Sequence, residues 1–241
     1  MKLVKPFTKI LTNINRVEVL KTLEIIARTC YKSEDKITED EESARKLIKL
    51  LLTRNHEAML EFYDITVKFV CDRGVSHEIV RHRIASYAQE STRYVNYSSD
   101  GKQEGCTFII PEWCPDIVEM ATNSVRDLDD LIPKTCDYRG DRECTDMQFA
   151  WAVSMLRLSN QYDNFIKAGW KPEQARTILP NSTKTEINVK MNLREWRHFF
   201  KLRTSPAAHP QMRELTIPLL NEFQLLLPEL FKTDDLCNGL H

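Results

Sequence analysis

With 241 residues, 42% hydrophobic and 29% charged, the chain is long enough to bury a core and has the makeup of a globular protein. Its formal net charge of −1 argues against a general nucleic-acid binder, so any basic site must be local. No run of 18 or more apolar residues occurs, which excludes a membrane-spanning helix.

Residues 3–11 read as a short opening strand. Over residues 16–31 the apolar positions Val17, Leu20, Leu23, Ile26 and Ala27 follow a helical period. Thr38, with Glu41 three residues on, predicts a capping box. The helix it opens would bury Ala44, Leu47, Ile48, Leu51 and Leu52. Alternation of Tyr63, Ile65, Val67 and Phe69 with polar residues marks a strand ending at a turn over Asp72, Arg73 and Gly74. Ser76 is the expected cap of a short helix that delivers Arg81. Thr107–Ile110 is a brief strand stopped by Pro111.

Residues 116–132 carry a helical pattern, and residues 133–145 show no period. Thr145 or Asp146 would cap a long helix reaching Ile166, which Gly169 ends, and Pro172 starts a short helix holding Arg176. Residues 182–191 alternate as a strand. Asn192 opens a helix whose apolar face is Leu193, Trp196, Phe199, Phe200 and Leu202, and a last helix covers residues 210–231. One α+β domain over residues 1–241 is the simplest account. The seven cysteines are dispersed, with no short zinc-knuckle gap, and residues 1–7 lack the apolar core of a secretory signal. Reduced thiols, no metal and a cytoplasmic location are expected.

The densest chemistry lies in residues 81–94, where three arginines, a histidine, two serines and a threonine gather. Arg81 and Arg83 are two apart, as are Ser91 and Arg93, so one ligand meets both members of a pair more easily on extended or looped backbone than on a helix. Guanidinium forks bind phosphate oxygens in pairs and hydroxyls donate to the rest, which predicts a loop that wraps a phosphorylated ligand. A second basic cluster, Arg194, Arg197, His198, Lys201 and Arg203, sits at helical spacing.

Arg81-His82-Arg83, then Ser86, Ser91 and Arg93-Tyr94, resembles the signature of the flavin-dependent thymidylate synthases. Further segments similar to that family run from residue 27 to residue 203. They are Ala27–Tyr31, Asn55–Glu57, Ser76–Val80, Glu173–Arg176 with Leu179-Pro180, and the helix from Asn192 to Arg203. The resemblance implies conversion of dUMP to dTMP, with methylenetetrahydrofolate as carbon donor, FAD as hydride carrier and NADPH as reductant. It implies an α/β sheet flanked by helices, assembled as a homotetramer with shared active sites and no enzyme nucleophile. None of the cysteines here has the Pro-Cys context of the folate-only thymidylate synthases.

By resemblance, His56, Arg81, His82, Arg83, Gln89, Asn192 and His198 would contact FAD. Glu78, Arg81, Gln89, Glu90, Ser91, Thr92, Arg93 and Arg176 would hold dUMP. Arg203 would sit against the uracil and stabilise ionisation at N3. His82, between two arginines, is expected to stay neutral. The chain departs from the family's commoner pattern at Ala88-Gln89, where Asn-Glu is frequent. It departs also at Cys30 and Ala58, which replace hydroxyl residues, and at His198, which replaces an amide. A variant pyrimidine-nucleotide hydroxymethylase, or a nucleotide-binding module without catalysis, are the alternative readings.

Overall fold

The computed structural model describes residues 1–101, 105–117, 147–232 and 236. Helices and strands are mixed along the chain. Strand β1 (Lys2–Val4) pairs in parallel with β5 (Thr107–Ile109), Leu3 opposite Phe108. Four other strands are hydrogen-bonded in the order β2-β3-β6-β4: β2 (Phe7–Ile10), β3 (Asp64–Asp72), β6 (Lys184–Asn192) and β4 (Ala85–Gln89). The single opening strand expected over residues 3–11 is thus two strands in two sheets. Pro6, which has no N–H to offer a ladder, lies between them.

By packing, the chain divides into two units. The first comprises Met1–Phe7, Val70–Ile79 and Gln89–Ile187; the second comprises Thr8–Phe69, Val80–Ala88 and Asn188–His241.

In the second unit, helix α1 (Arg16–Tyr31) has the expected span. The Asn15 side chain accepts from Glu18 N, and Lys32 closes the helix in the left-handed region at φ 47°. Helix α2 (Glu42–Thr53) starts later than the predicted capping box. Thr38 Oγ1 bonds to Asp40 and the Ser43 hydroxyl accepts from Thr38 N, so Thr38 is spent on a local turn. Helix α6 (Leu193–Arg203) follows β6 and buries Leu193, Trp196, Phe199 and Phe200, but Leu202 is exposed. These side chains, with Ile65, Val67 and Phe69 of β3, are fully buried. The predicted final helix is two: α7 (Pro210–Leu226) and α8 (Pro228–Phe231). Pro228 cannot donate to the ladder of the preceding turn, and Leu227 leaves helical geometry at ψ 64°. Glu229 of α8 accepts from Arg16 of α1, Nε at 3.1 Å, and pairs with Arg45 of α2 at 3.3 Å.

In the first unit, α3 (Arg73–Ile79) follows β3 directly. Its cap is Asp72, whose Oδ1 accepts from Val75 N at 2.7 Å, and the expected cap Ser76 lies inside the helix. Helix α4 (Met147–Lys167) packs Met155 and Tyr162 against Tyr97, Cys106 and Phe108. It ends at Gly169, whose φ of +91° is readily held only by glycine. Pro172 then opens α5 (Pro172–Ala175). The expected helix end over residues 118–132, the segment 133–145 and the proposed caps Thr145 and Asp146 lie outside the described residues. Cys30, Cys71, Cys106 and Cys114 are free thiols, and burial pushes the Cys71 and Cys106 thiols up, the latter to about 11.

Candidate active site

In the second unit, a hydrogen-bonded line runs through His82. Its Nδ1 lies 3.1 Å from Glu195 Oε1, and its Nε2 accepts from Arg203 Nε at 3.0 Å. The ring makes T-shaped contacts with Phe199 at 4.9 Å and with His198 at 5.8 Å between centroids. Its backbone carbonyl accepts from the Tyr87 hydroxyl at 2.5 Å. Helix α6 builds this arrangement because Glu195, Phe199 and Arg203 recur every fourth residue, on one face of the helix.

His82 and Glu195 are buried, Arg203 is half-buried and His198 is exposed. Burial first, then the nearby Arg203 charge, hold His82 below the usual histidine pKa, against the opposing pull of Glu195. The direction is the one expected from sequence, but the cause is different, because Arg81 and Arg83 are exposed and do not set it. Burial likewise raises the Tyr87 phenol to about 12. His82, Glu195 and His198 offer ligand atoms within 4.8 Å of one another, close enough to share a metal ion. Arg203 already donates to the same imidazole, and a fixed positive charge there opposes a cation.

A cleft of about 600 Å³ lies beside this line, with Asn55, Glu57, Ile84, Asn192, Arg194, Glu195 and His198 among its lining. Asn192 has a structural task as well. Its Oδ1 caps α6 by accepting from Glu195 N at 2.8 Å. Replacing Asn192 by alanine is expected to cost about 1 kcal/mol in a urea titration, whereas aspartate should keep most of it. His56 is exposed and its Nδ1 lies 3.2 Å from the Tyr31 hydroxyl.

In the first unit, Gln89 Nε2 donates to Ser76 Oγ at 3.0 Å and Thr185 Oγ1 at 3.2 Å. Ser76 Oγ already donates to Arg73 O, so it needs a donor opposite it. An amide supplies that donor and a carboxylate does not, which gives Gln89 a local reason. Glu90 accepts from the Tyr97 hydroxyl at 2.7 Å and from Lys184 Nζ at 3.0 Å. Burial works against the Lys184 charge, but Glu186 and Glu90 more than offset it and leave its pKa raised. Buried Thr92 accepts from Arg176 Nη1 at 3.1 Å. Ser91 and Arg93 form a turn, with Arg93 stacked on Tyr94 at 5.0 Å, and Glu78 is half-buried on α3. The expected phosphate loop is partly strand, since residues 85–89 form β4.

Residues 14–229 match the sequence profile of the family described as thymidylate synthase complementing protein. The chain belongs to that family. Its relatives include the flavin-dependent thymidylate synthases of Pyrococcus abyssi and Pyrococcus furiosus, each 34% identical, over 79% and 76% of this chain. The flavin-dependent thymidylate synthase of Geobacter sulfurreducens is 29% identical over 86% of this chain and 78% of its own length. The matched stretch spans 66% and 63% of the two Pyrococcus proteins, just under two thirds of their length.

Within this thymidylate synthase complementing family member, three functional candidates escaped the sequence reading. Glu195, Lys184 and Thr185 each touch a motif residue more than ninety positions away. The signal available was a charged or polar residue standing where a strand or helix pattern calls for burial, as Lys184 and Thr185 do in β6.

Proposed function

We propose that this chain is a flavin-dependent thymidylate synthase, converting dUMP to dTMP with FAD, NADPH and methylenetetrahydrofolate. One observation carries the reading. His82 of the Arg-His-Arg motif and Arg203 of α6, 121 positions apart, are bonded to each other. The family resemblance assigns the first to flavin and the second to uracil, so the two ends of the reaction meet on one hydrogen bond.

In this reading His56, Arg81, His82, Arg83, Gln89, Asn192 and His198 contact FAD, with Arg81 also beside the nucleotide. The two arginines are exposed with no ion pair among the described residues, which suits a doubly charged ligand that a guanidinium fork can grip. The cleft beside His82 is of a size that small-molecule sites commonly have, about 300–1,000 Å³. Bound flavin supplies hydride chemistry; the chain supplies orientation and charge. Glu78, Gln89, Glu90, Ser91, Thr92, Arg93 and Arg176 hold dUMP. Arg203 stabilises negative charge developing on the uracil, since its guanidinium stays protonated at any working pH. The enzyme is cytoplasmic, has the fold of its family and assembles as a homotetramer with shared sites. A purely monomeric active protein in light scattering would reject that assembly.

The absorption spectrum of the purified protein tests the reading. A yellow protein is expected, bleached by NADPH faster when dUMP is present. Colourless protein that takes up no FAD on reconstitution would sink it.

A further inference from the structure

We propose that Glu195 is a positioning residue that locks His82 in the Nδ1–H tautomer and, through it, aims the Arg203 guanidinium. The inference rests on the proposed reaction for its kinetic consequence, but its geometric part stands alone.

A neutral imidazole carries one donor and one acceptor nitrogen. Glu195 Oε1, 3.1 Å from Nδ1, can only accept, so the proton belongs on Nδ1. Arg203 Nε can only donate, so the lone pair of Nε2, 3.0 Å away, must face it. The two partners demand the same tautomer, and nothing else on the ring is left to choose. Phe199, in a T-shaped contact with the ring, and the Tyr87 hydroxyl on the His82 carbonyl restrict rotation and translation of the imidazole. Nε is the single-hydrogen nitrogen of the guanidinium, at the base of the fork, so bonding it fixes the plane in which both Nη groups point. Glu195 itself is held by its place on α6, where its backbone N–H is bonded to Asn192.

Without the Glu195 acceptor, Arg203 alone is left to select the Nδ1–H tautomer, and whenever the proton sits on Nε2 two donors face each other across His82 and Arg203. Arg203 must swing away. Such a residue acts on a step that needs the guanidinium in one place, rather than on the grip of the nucleotide.

The experiment uses full-length protein with histidine labelled in nitrogen-15, as wild type, Glu195→Gln and Glu195→Ala. Ring-nitrogen shifts are expected to show the proton on Nδ1 of His82 in wild type and in the glutamine variant, whose amide oxygen still accepts. The alanine variant, with Arg203 alone selecting the tautomer, should show a share of the Nε2–H form that wild type lacks. Its kcat should fall at least about tenfold, the lower end of what is lost when a metal-ligating histidine loses its orienting partner, with a smaller change in KM for dUMP. Glutamine should recover most of kcat. A wild-type proton on Nε2, an alanine variant within about twofold of wild-type turnover, or a glutamine variant as slow as alanine would each overturn the proposal. If wild type itself makes no dTMP, the functional reading fails, while the nitrogen shifts still decide the tautomer.

Discussion

Replacing Arg203 by alanine is expected to lower turnover at least about a hundredfold while weakening dUMP binding only modestly, the scale of losing one preorganised electrostatic stabiliser. The argument is geometric before it is chemical. Arg203 ends α6, half-buried, with Nε committed to an imidazole that burial keeps neutral. A neutral neighbour leaves the full positive charge available, whereas an imidazolium there would repel it. In the proposed reaction, charge that grows on the substrate would meet a cation already in place, so that no solvent or side chain has to reorganise. Lysine at this position keeps the charge but loses the planar fork and the bond to His82, and should recover only part of the rate. Measuring kcat beside the dUMP dissociation constant separates the two effects. Near-normal turnover in the alanine variant would reject the assigned role.

Replacing Trp196 by alanine is expected to cost about 3–5 kcal/mol of stability, among the largest losses any single side chain here can cause. Trp196 is fully buried, with ring centroids of Phe199 and Phe223 each 5.3 Å away, Phe200 at 5.7 Å and Phe69 at 6.4 Å. Its indole nitrogen donates to Ile65 O at 3.0 Å, tying α6 to β3. Truncation opens a cavity lined by rings that cannot collapse independently, because Phe199, Phe200 and Phe223 also pack on one another. It leaves the Ile65 carbonyl without that donor as well. Phenylalanine should recover most of the packing and none of the hydrogen bond. A shift in urea unfolding free energy below about 1 kcal/mol for alanine would show that the second unit does not depend on this cluster.

Elements with a strong period were legible in the sequence. Helix α1 and the buried alternations of β3 and β6 follow from apolar spacing alone, and Asn192 caps α6 as its residue type suggests. Termini decided by competing local bonds were not. Thr38 looks like a cap but bonds to Asp40, and Asp72 takes the capping task expected of Ser76. The loop expected at residues 81–94 holds β4 because its neighbour in the sheet, β6, distant in sequence, supplies the hydrogen bonds that local pattern cannot reveal. The same reason hides Glu195. On the sequence it is one acid among the basic residues of a helix, and only the fold brings His82 to it. The motif showed which residues carry chemistry; which of them share a proton is a property of tertiary structure.

The clasp of Arg16 and Arg45 on Glu229 has a consequence for biogenesis. Arg16 and Glu229 are 213 positions apart, and the last segment of the second unit begins only at Asn188, after every segment of the first has been made. A nascent chain therefore carries α1 and α2 through most of its synthesis with their partner helix not yet in existence. Contacts of such separation are slow to find, since the intervening chain must be ordered before they repay it. Helices α1 and α2 can pack on each other early, but their tie to Glu229 waits for that interval, and an early stop in translation leaves Arg16 and Arg45 without it.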